Sequence, residues 1–436
     1  MMRFKFLLLG IYTVLMLAAP PAWAMNEVQA ITSPQGLKAW FIQDETIKVN
    51  AIYFTFKGSG TRQDPADKAG LANFLSAMMD EGAGKLDSKQ VRQTLEDQSI
   101  TLSFDAGRDH FSGQLIALER HLQTGADLLG DALTRPRFDP SPLQRIRSQL
   151  IAGIEHDRTD PQKIVNAQLS SLLFGDHAYA NPIAGTAQSL DGVTAQDFKG
   201  FMADHLVRAR LFIGISGSIS KQAAGALIDQ IFGDLPQGSP ASITQITPDF
   251  SSSALMIDYD IPQSVLMFAM QAVPVKDPAY FDAMVLNYIL GGGSFESRLM
   301  TEIREKRGLA YGAYSYLANY QQANLLRGGM STRTKNVEQA KAVAMEIFAD
   351  LRANPPSQTE IDAAKDYLIG SYLINLTSAG RIARQLAFLQ LGEFPLDYIQ
   401  TRPRRFEAVT AQSVHHLSQK LLNEDAISWA IIGRKP

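Results

Sequence analysis

The pattern of apolar and polar residues predicts helices packed on short strands, in an order that occurs twice along the chain. In the first half it predicts a strand (48–56), two helices (70–80 and 88–98), two antiparallel strands (100–106 and 111–118), three helices (120–134, 142–157 and 161–174) and a buried strand (211–216). In the second half it predicts two strands (255–259 and 265–272), a helix (278–290), a strand (326–332), two helices (337–352 and 359–373) and a closing strand (426–432).

A segment poor in charge and rich in Pro, Gly and Ser, residues 234–247, separates the two runs and indicates a linker. The length of 436 residues suits two domains of roughly 200 residues each. We therefore predict an α+β fold with two domains, residues 25–233 and 248–436, each an antiparallel sheet with helices packed on it. Identity between the halves is too low to prove duplication, so their homology is a hypothesis supported by the repeated order.

Composition and charge narrow the class of protein. The chain is 45% hydrophobic and 19% charged, which is ordinary for a globular protein, and its net charge of −3 argues against a nucleic-acid or anionic-membrane partner. Arg3 and Lys5, an apolar run over 6–19 and Ala22-Trp23-Ala24 predict a signal peptide over residues 1–24 and a periplasmic protein. A retained membrane anchor is the alternative. The absence of cysteine excludes thiolate chemistry and Cys-ligated zinc.

The most informative stretch begins with three consecutive glycines, 291–293. They permit positive φ or close approach of backbones, and Ser294 is the predicted N-cap of a new helix. Gly308 is predicted to end that helix, and a strand is predicted to follow. Arg304 and Tyr311 therefore lie at the end of a helix and in the next strand, where a cation and a phenol can face one cleft.

As a whole, residues 285–316 resemble the C-terminal half-signature of the pitrilysin/insulinase family, zinc peptidases related to the mitochondrial processing peptidase and the respiratory-chain core proteins. In that family an arginine and a tyrosine seven residues apart hold the backbone of the bound peptide, which the resemblance assigns to Arg304 and Tyr311. Arg307 and Tyr314 have the same spacing, but Tyr311 follows Gly-Leu-Ala as the family tyrosine does. A solvent-facing arginine and a half-buried tyrosine are the structural alternative.

The first half resembles the family in two stretches, 58–82 and 174–186. In active members a helix there carries His-x-x-Glu-His, whose histidines bind zinc and whose glutamate polarises water. The matching positions are Asn73, Ser76 and Ala77, and the position of the third ligand, a glutamate on a later helix, matches Gly153. Since none of the four offers a suitable side chain, we predict that this chain binds no metal.

The resemblance implies that this chain forms one half of a clamshell around a bound peptide. In two-chain members one chain carries the zinc helix and the other carries the arginine–tyrosine pair, and this sequence is similar to the second kind. We therefore predict a catalytically inactive, substrate-binding subunit of a heterodimeric periplasmic zinc peptidase, with zinc in the partner subunit. The alternatives are a stand-alone peptide-binding protein, a structural scaffold, and an active enzyme with another metal site such as Glu155-His156-Asp157.

Overall fold

The computed structural model describes residues 27–251 and 254–434, which form two sheets with helices packed on them. The first sheet has the strand order β1-β2-β8-β3-β7-β6 and contains β1 (Gln29–Thr32), β2 (Lys38–Gln43), β3 (Val49–Lys57), β6 (Thr101–Ala106), β7 (His110–Leu118) and β8 (Leu211–Gly217). The second has the order β11-β12-β10-β13-β9 and contains β9 (Ala254–Asp258), β10 (Gln263–Gln271), β11 (Ala310–Asn319), β12 (Asn324–Arg333) and β13 (Ser428–Gly433). A short hairpin joins β4 (Gly82–Ala83) to β5 (Leu86–Asp87).

The helices bury their apolar sides against these sheets or against neighbouring helices. The first half contains α1 (Leu71–Met78), α2 (Ser88–Asp97), α3 (Leu122–Thr134), α4 (Pro140–Asp157), α5 (Pro161–Phe174), α6 (Ala187–Asp191), α7 (Ala195–His205) and α8 (Lys221–Phe232). The second half contains α9 (Tyr280–Asn287), α10 (Val337–Ala353), α11 (Gln358–Ile374), α12 (Ala379–Leu391), α13 (Tyr398–Glu407) and α14 (Ala411–Leu421).

The two sheets share one topology. Read from the opposite edge, the second sheet runs β9-β13-β10-β12-β11, which matches β2-β8-β3-β7-β6 of the first. In both, the first pair of this series is parallel and the other three pairs are antiparallel. The predicted α+β architecture of two similar halves is thus confirmed, while the expectation of purely antiparallel sheets is wrong at one pair in each. In each half this pair is formed by the last strand of the sheet in chain order. Strand β8 lies between β2 and β3, and strand β13 lies between β9 and β10.

One helix of each half packs on the sheet of the other half. Helix α5 of the first half packs on β10 and β13, where Val165 and Leu169 join Met267 in one buried cluster. Helix α12 of the second half packs on β3 and β8, where Ala383 joins Tyr53 in another. The two halves therefore share buried surface in both directions.

Most predicted elements are confirmed to within a few residues, with one local exception. The helix predicted over 88–98 is α2, and Asp87 is its N-cap, because the Asp87 carboxylate accepts the Gln90 backbone N–H at 2.9 Å. The helix predicted over 278–290 is α-helical only for Tyr280–Asn287 and continues as a π-helical turn, Tyr288–Gly292.

The remaining boundaries stay predictions. Residues 234–247 contain no helix or strand, as expected of a linker, but nothing fixes the bounds of the two domains. The predicted signal peptide, residues 1–24, lies outside the described part of the chain. Within 27–251 and 254–434, no helix has the length and apolar character needed to cross a bilayer.

Candidate functional site

The backbone between α9 and β11 is built for close packing. A Cβ on Gly291 would lie 2.5 Å from the Ser315 backbone nitrogen, so only glycine lets this turn reach β11. The three glycines have negative φ, so close approach and not positive φ is their role. The prediction that Ser294 is an N-cap is wrong: Ser294 has φ 50° and begins a 3₁₀ turn, Ser294–Glu296, without a side-chain cap.

A π-helix, Met300–Glu305, follows this turn, and Gly308 with φ 58° ends it as predicted. Arg304 is on this π-helix and Tyr311 is the second residue of β11. The structure brings the two side chains together: the Arg304 Cζ lies 5.0 Å from the centroid of the Tyr311 ring. Tyr311 is 83% exposed, so its ring and hydroxyl are available to a ligand.

Phe295 is a third member of this site that the sequence analysis did not single out. The Arg304 Cζ lies 4.7 Å from the centroid of the Phe295 ring, which is 59% exposed. We refer to Phe295, Arg304 and Tyr311 as the aromatic–arginine cluster. The only feature of the sequence that could indicate Phe295 is its place beside a glycine-rich turn. That feature does not predict where the ring lies.

The charges around the cluster distinguish Arg304 from its neighbours. Lys306 and Arg307 both form ion pairs with Glu302. Arg304 forms no ion pair with any residue in the described ranges, so its charge is left for a ligand. The alternative pair, Arg307 and Tyr314, is already engaged, because Tyr314 Oη lies 3.7 Å from the Met267 sulfur.

A further arginine of this stretch has a structural role. Arg298 donates from Nε to Glu360 at 2.7 Å and from Nη1 to Asp350 at 2.6 Å. These bonds tie the start of the π-helical segment to α10 and α11.

The positions that match the family's metal ligands do not fit a zinc ion. Asn73, Ser76 and Ala77 are on α1, and the Ser76 hydroxyl is used internally, donating to the Asn73 carbonyl at 2.8 Å. Gly153 is exposed on α4, with no atom within 4 Å of where its Cβ would be. Neutral amide, hydroxyl and methyl groups do not provide the imidazole and carboxylate ligands that Zn²⁺ requires. In the described ranges no three His, Cys, Asp or Glu side chains are grouped as for a metal.

The alternative ligand set at the end of α4 is engaged in salt bridges. Glu155 pairs with Arg158 at 3.2 Å and Asp157 pairs with Lys163 at 3.7 Å. His156, between them, is exposed.

The second stretch of resemblance, 174–186, contributes to the contact between the halves. Tyr179 is fully buried, and its hydroxyl donates to Asp109 in the β6–β7 turn of the first half. The same hydroxyl accepts the Gln322 backbone N–H at 3.2 Å, and Asp109 accepts the Gln321 backbone N–H at 2.9 Å. Burial, and then the carboxylate of Asp109, raise the pKa of Tyr179, so this hydroxyl remains a donor. This part of the motif is therefore structural.

Comparison with known proteins places these features in a family. The model "Insulinase (Peptidase family M16)" matches residues 43–187, and the model "Peptidase M16 inactive domain" matches residues 192–368. Together they cover more than half of the chain.

The relatives match along their whole length. The chain is 24% identical over 401 residues to the uncharacterised zinc protease YmxG of Bacillus subtilis, covering 91% of this chain and 96% of that protein. It is 24% identical over 437 residues to a protein of Helicobacter pylori named non-peptidase homolog YmxG, covering 98% of each. The crystal structure of a peptidase M16 inactive domain from Pseudomonas fluorescens matches with a TM-score of 0.88 and 29% identity, covering 94% of this chain and 98% of that one.

Two of these matches carry a name that denies peptidase activity, in agreement with the positions on α1 and α4 that do not fit zinc. Together they support a member without catalytic activity of its own. The two family models and the relatives support the same assignment. The chain belongs to the insulinase family of metallopeptidases, peptidase family M16.

Proposed function

We propose that this chain is the non-catalytic, substrate-binding subunit of a periplasmic zinc peptidase and that it holds a peptide for a zinc-bearing partner of the same family. The observation that carries the proposal is a contrast between the halves. The first offers no zinc ligands at Asn73, Ser76, Ala77 and Gly153, whereas the second places Arg304, which is half-buried and has no ion pair within the described ranges, beside the exposed ring of Tyr311. A chain with this contrast has the means to bind a peptide and not to cleave one.

In this proposal Arg304 donates hydrogen bonds to the peptide and Tyr311 adds a second contact, holding the chain extended. Two polar contacts are worth roughly 0.5–1.5 kcal/mol each, and more where the donor is charged. The partner supplies the metal and the general base. The role of this chain is to bind the substrate and to orient its scissile bond.

Partner binding is tested by purifying the exported protein from its native host under mild conditions. We expect a second M16 chain that carries His-x-x-Glu-His, with zinc in the complex and none in this chain purified by itself. Stoichiometric zinc and proteolysis by this chain alone would overturn the proposal. Recovery of the chain as a homodimer that binds unfolded peptide would favour a stand-alone binding protein instead.

The role of Arg304 is tested in the reconstituted pair with an Arg304→Ala variant. Loss of a charge-assisted contact of about 1.5–3 kcal/mol predicts a drop in kcat/KM of roughly 10- to 150-fold. Arg307→Ala, on the same turn but paired with Glu302, is the matched control and is expected to change kcat/KM by less than about threefold. Equal effects of the two substitutions would exclude a specific role for Arg304.

A further inference from the structure

In the aromatic–arginine cluster, the guanidinium of Arg304 makes cation–π contacts with two aromatic rings. The Arg304 Cζ lies over the rings of both Phe295 and Tyr311, at 4.7 and 5.0 Å from their centroids. A guanidinium attracted to ring faces in this way keeps its N–H donors, which all lie in its own plane, free for other partners. In the described part of the chain these donors meet no carboxylate.

The turn that carries Phe295 is fixed before any ligand arrives. Ser294 holds a positive φ of 50°, which is unfavourable for a residue with a side chain. The Ser297 hydroxyl, which is fully buried, donates to the Ser294 carbonyl at 2.8 Å and locks this turn. Backbone strain at Ser294 costs stability, and the exposed Phe295 ring next to it contributes little hydrophobic stabilisation in return, so a binding role accounts for this arrangement.

The free N–H donors of Arg304 limit the chemical class of ligand that this site can bind. A peptide carbonyl accepts one or two N–H bonds but leaves the positive charge unbalanced. A carboxylate accepts two parallel N–H bonds from the planar fork and also neutralises the positive charge, which a carbonyl bonded to the same guanidinium does not do. Arg304 is itself half-buried beside the two rings, and reduced contact with water strengthens its attraction to an anion.

From this geometry we propose that the aromatic–arginine cluster binds a carboxylate of the peptide, either its C-terminal group or an Asp or Glu side chain. This inference rests on the proposed peptide-binding function and adds the chemical class that Arg304 selects. Phe295 is the positioning residue: it does not contact the reacting bond but keeps the guanidinium fork presented outward.

The experiment uses the mature chain labelled with ¹⁵N-arginine and follows the Nε–H signal of Arg304, identified by its loss in Arg304→Lys. Two pairs of probes are compared, each consisting of a carboxylate and its matched amide. The first pair is N-acetylphenylalanine and its C-terminal amide, and the second is N-acetylaspartate methylamide and the corresponding asparagine compound. We expect the carboxylates to shift this signal with dissociation constants roughly fivefold or more below those of the matched amides. The first pair reports a C-terminal carboxylate and the second a side-chain carboxylate.

Substitutions at Phe295 test the positioning role. Phe295→Leu keeps an apolar side chain but removes the ring face, and we expect it to abolish the preference for carboxylate. Phe295→Tyr restores a ring and is expected to restore the preference, while the melting temperature stays unchanged in both because this side chain is largely exposed. A preference unchanged in Phe295→Leu would overturn the positioning role.

Two results would contradict the carboxylate assignment, and they differ in what they imply. Equal shifts from the amides and the carboxylates would show that Arg304 reads peptide carbonyls, which overturns this inference and leaves the proposed function standing. No shift from any of the four probes would contradict both.

Discussion

Two histidines of the first half are held in surroundings that disfavour their protonation. Burial lowers the pKa of His110 to about 4, and burial with the nearby Arg210 lowers the pKa of His205 to about 4. The Arg210 guanidinium lies 3.0 Å from the His205 Nδ1, so a proton on that ring would face a cation. At these two positions the folded chain therefore binds fewer protons than the unfolded chain between pH 6.5 and 4.

This difference predicts a loss of stability on acidification. Because the unfolded histidines take up protons near their ordinary pKa of 6.5, their contribution to the free energy of unfolding falls as the pH drops from there and stops falling below about 4. We expect the decrease to be smaller in His205→Gln, measured by urea unfolding across this pH range. His416→Gln, at an exposed histidine, is the control, and equal pH profiles for the two variants would contradict the argument.

One carboxylate contributes with the opposite sign in the same range. Burial raises the pKa of Asp64 to about 7, although the backbone N–H groups of Ala72 and Gly70, at the start of α1, donate to it. Its folded form binds a proton that the unfolded form does not, so this residue adds stability as the pH falls. Single substitutions, rather than the profile of the whole protein, therefore separate the two contributions.

At the scale of elements, the contact between the glycine turn and β11 sets the position of the candidate site. Adding a methyl group at Gly291 would bring it within 2.8 Å of the Ser315 backbone and hydroxyl and of the Leu299 side chain. We expect Gly291→Ala to destabilise the protein by about 1–3 kcal/mol in denaturant unfolding, since the strand must move.

Gly312→Ala is the matched control for this substitution. Gly312 is on β11 itself, and nothing lies within 4 Å of its added Cβ. A change of about 0.5 kcal/mol or less is expected there. Comparable losses for the two variants would show that the close approach at Gly291 is not the cause.

Elements whose apolar period continues over many residues could be predicted from the sequence, and irregular ones could not. The strand pair around Gly107 and the helix α5 follow their patterns closely, because one face of each is buried. The π-helical turns have no distinct period, and the position of Ser294 depends on the packing of Gly291 against β11, which is a tertiary contact. The alignment of Arg304 with Tyr311 was expected, whereas the contribution of Phe295 was not.

At the scale of the whole molecule, the buried Tyr179 hydroxyl links the halves. In Tyr179→Phe, the Gln322 backbone N–H loses its acceptor and Asp109 loses a donor. We expect a loss of about 1–3 kcal/mol in the free energy of unfolding, the usual cost of leaving buried polar groups unpaired. Tyr316→Phe, at a partly exposed tyrosine of β11, should change stability by less than about 0.5 kcal/mol.

The exchange of α5 and α12 predicts that neither half folds by itself. A fragment of residues 27–233 keeps all six strands of the first sheet but lacks α12, so the face around Tyr53 and Ala51 is left uncovered. We expect no cooperative thermal transition for this fragment by circular dichroism, and recovery of one when residues 234–434 are co-expressed. A sharp transition for the isolated fragment near that of the full chain would contradict this.

The same exchange dictates an order of events during biosynthesis. The close packing of α12 on β8 depends on Gly214, because a Cβ at that position would come within 1.9 Å of the Ala383 carbonyl oxygen. A ribosome must add more than 160 residues after Gly214 before the helix exists. The nascent N-terminal portion therefore remains incompletely covered until α12, Ala379–Leu391, has been synthesised, and a chaperone would protect it until then.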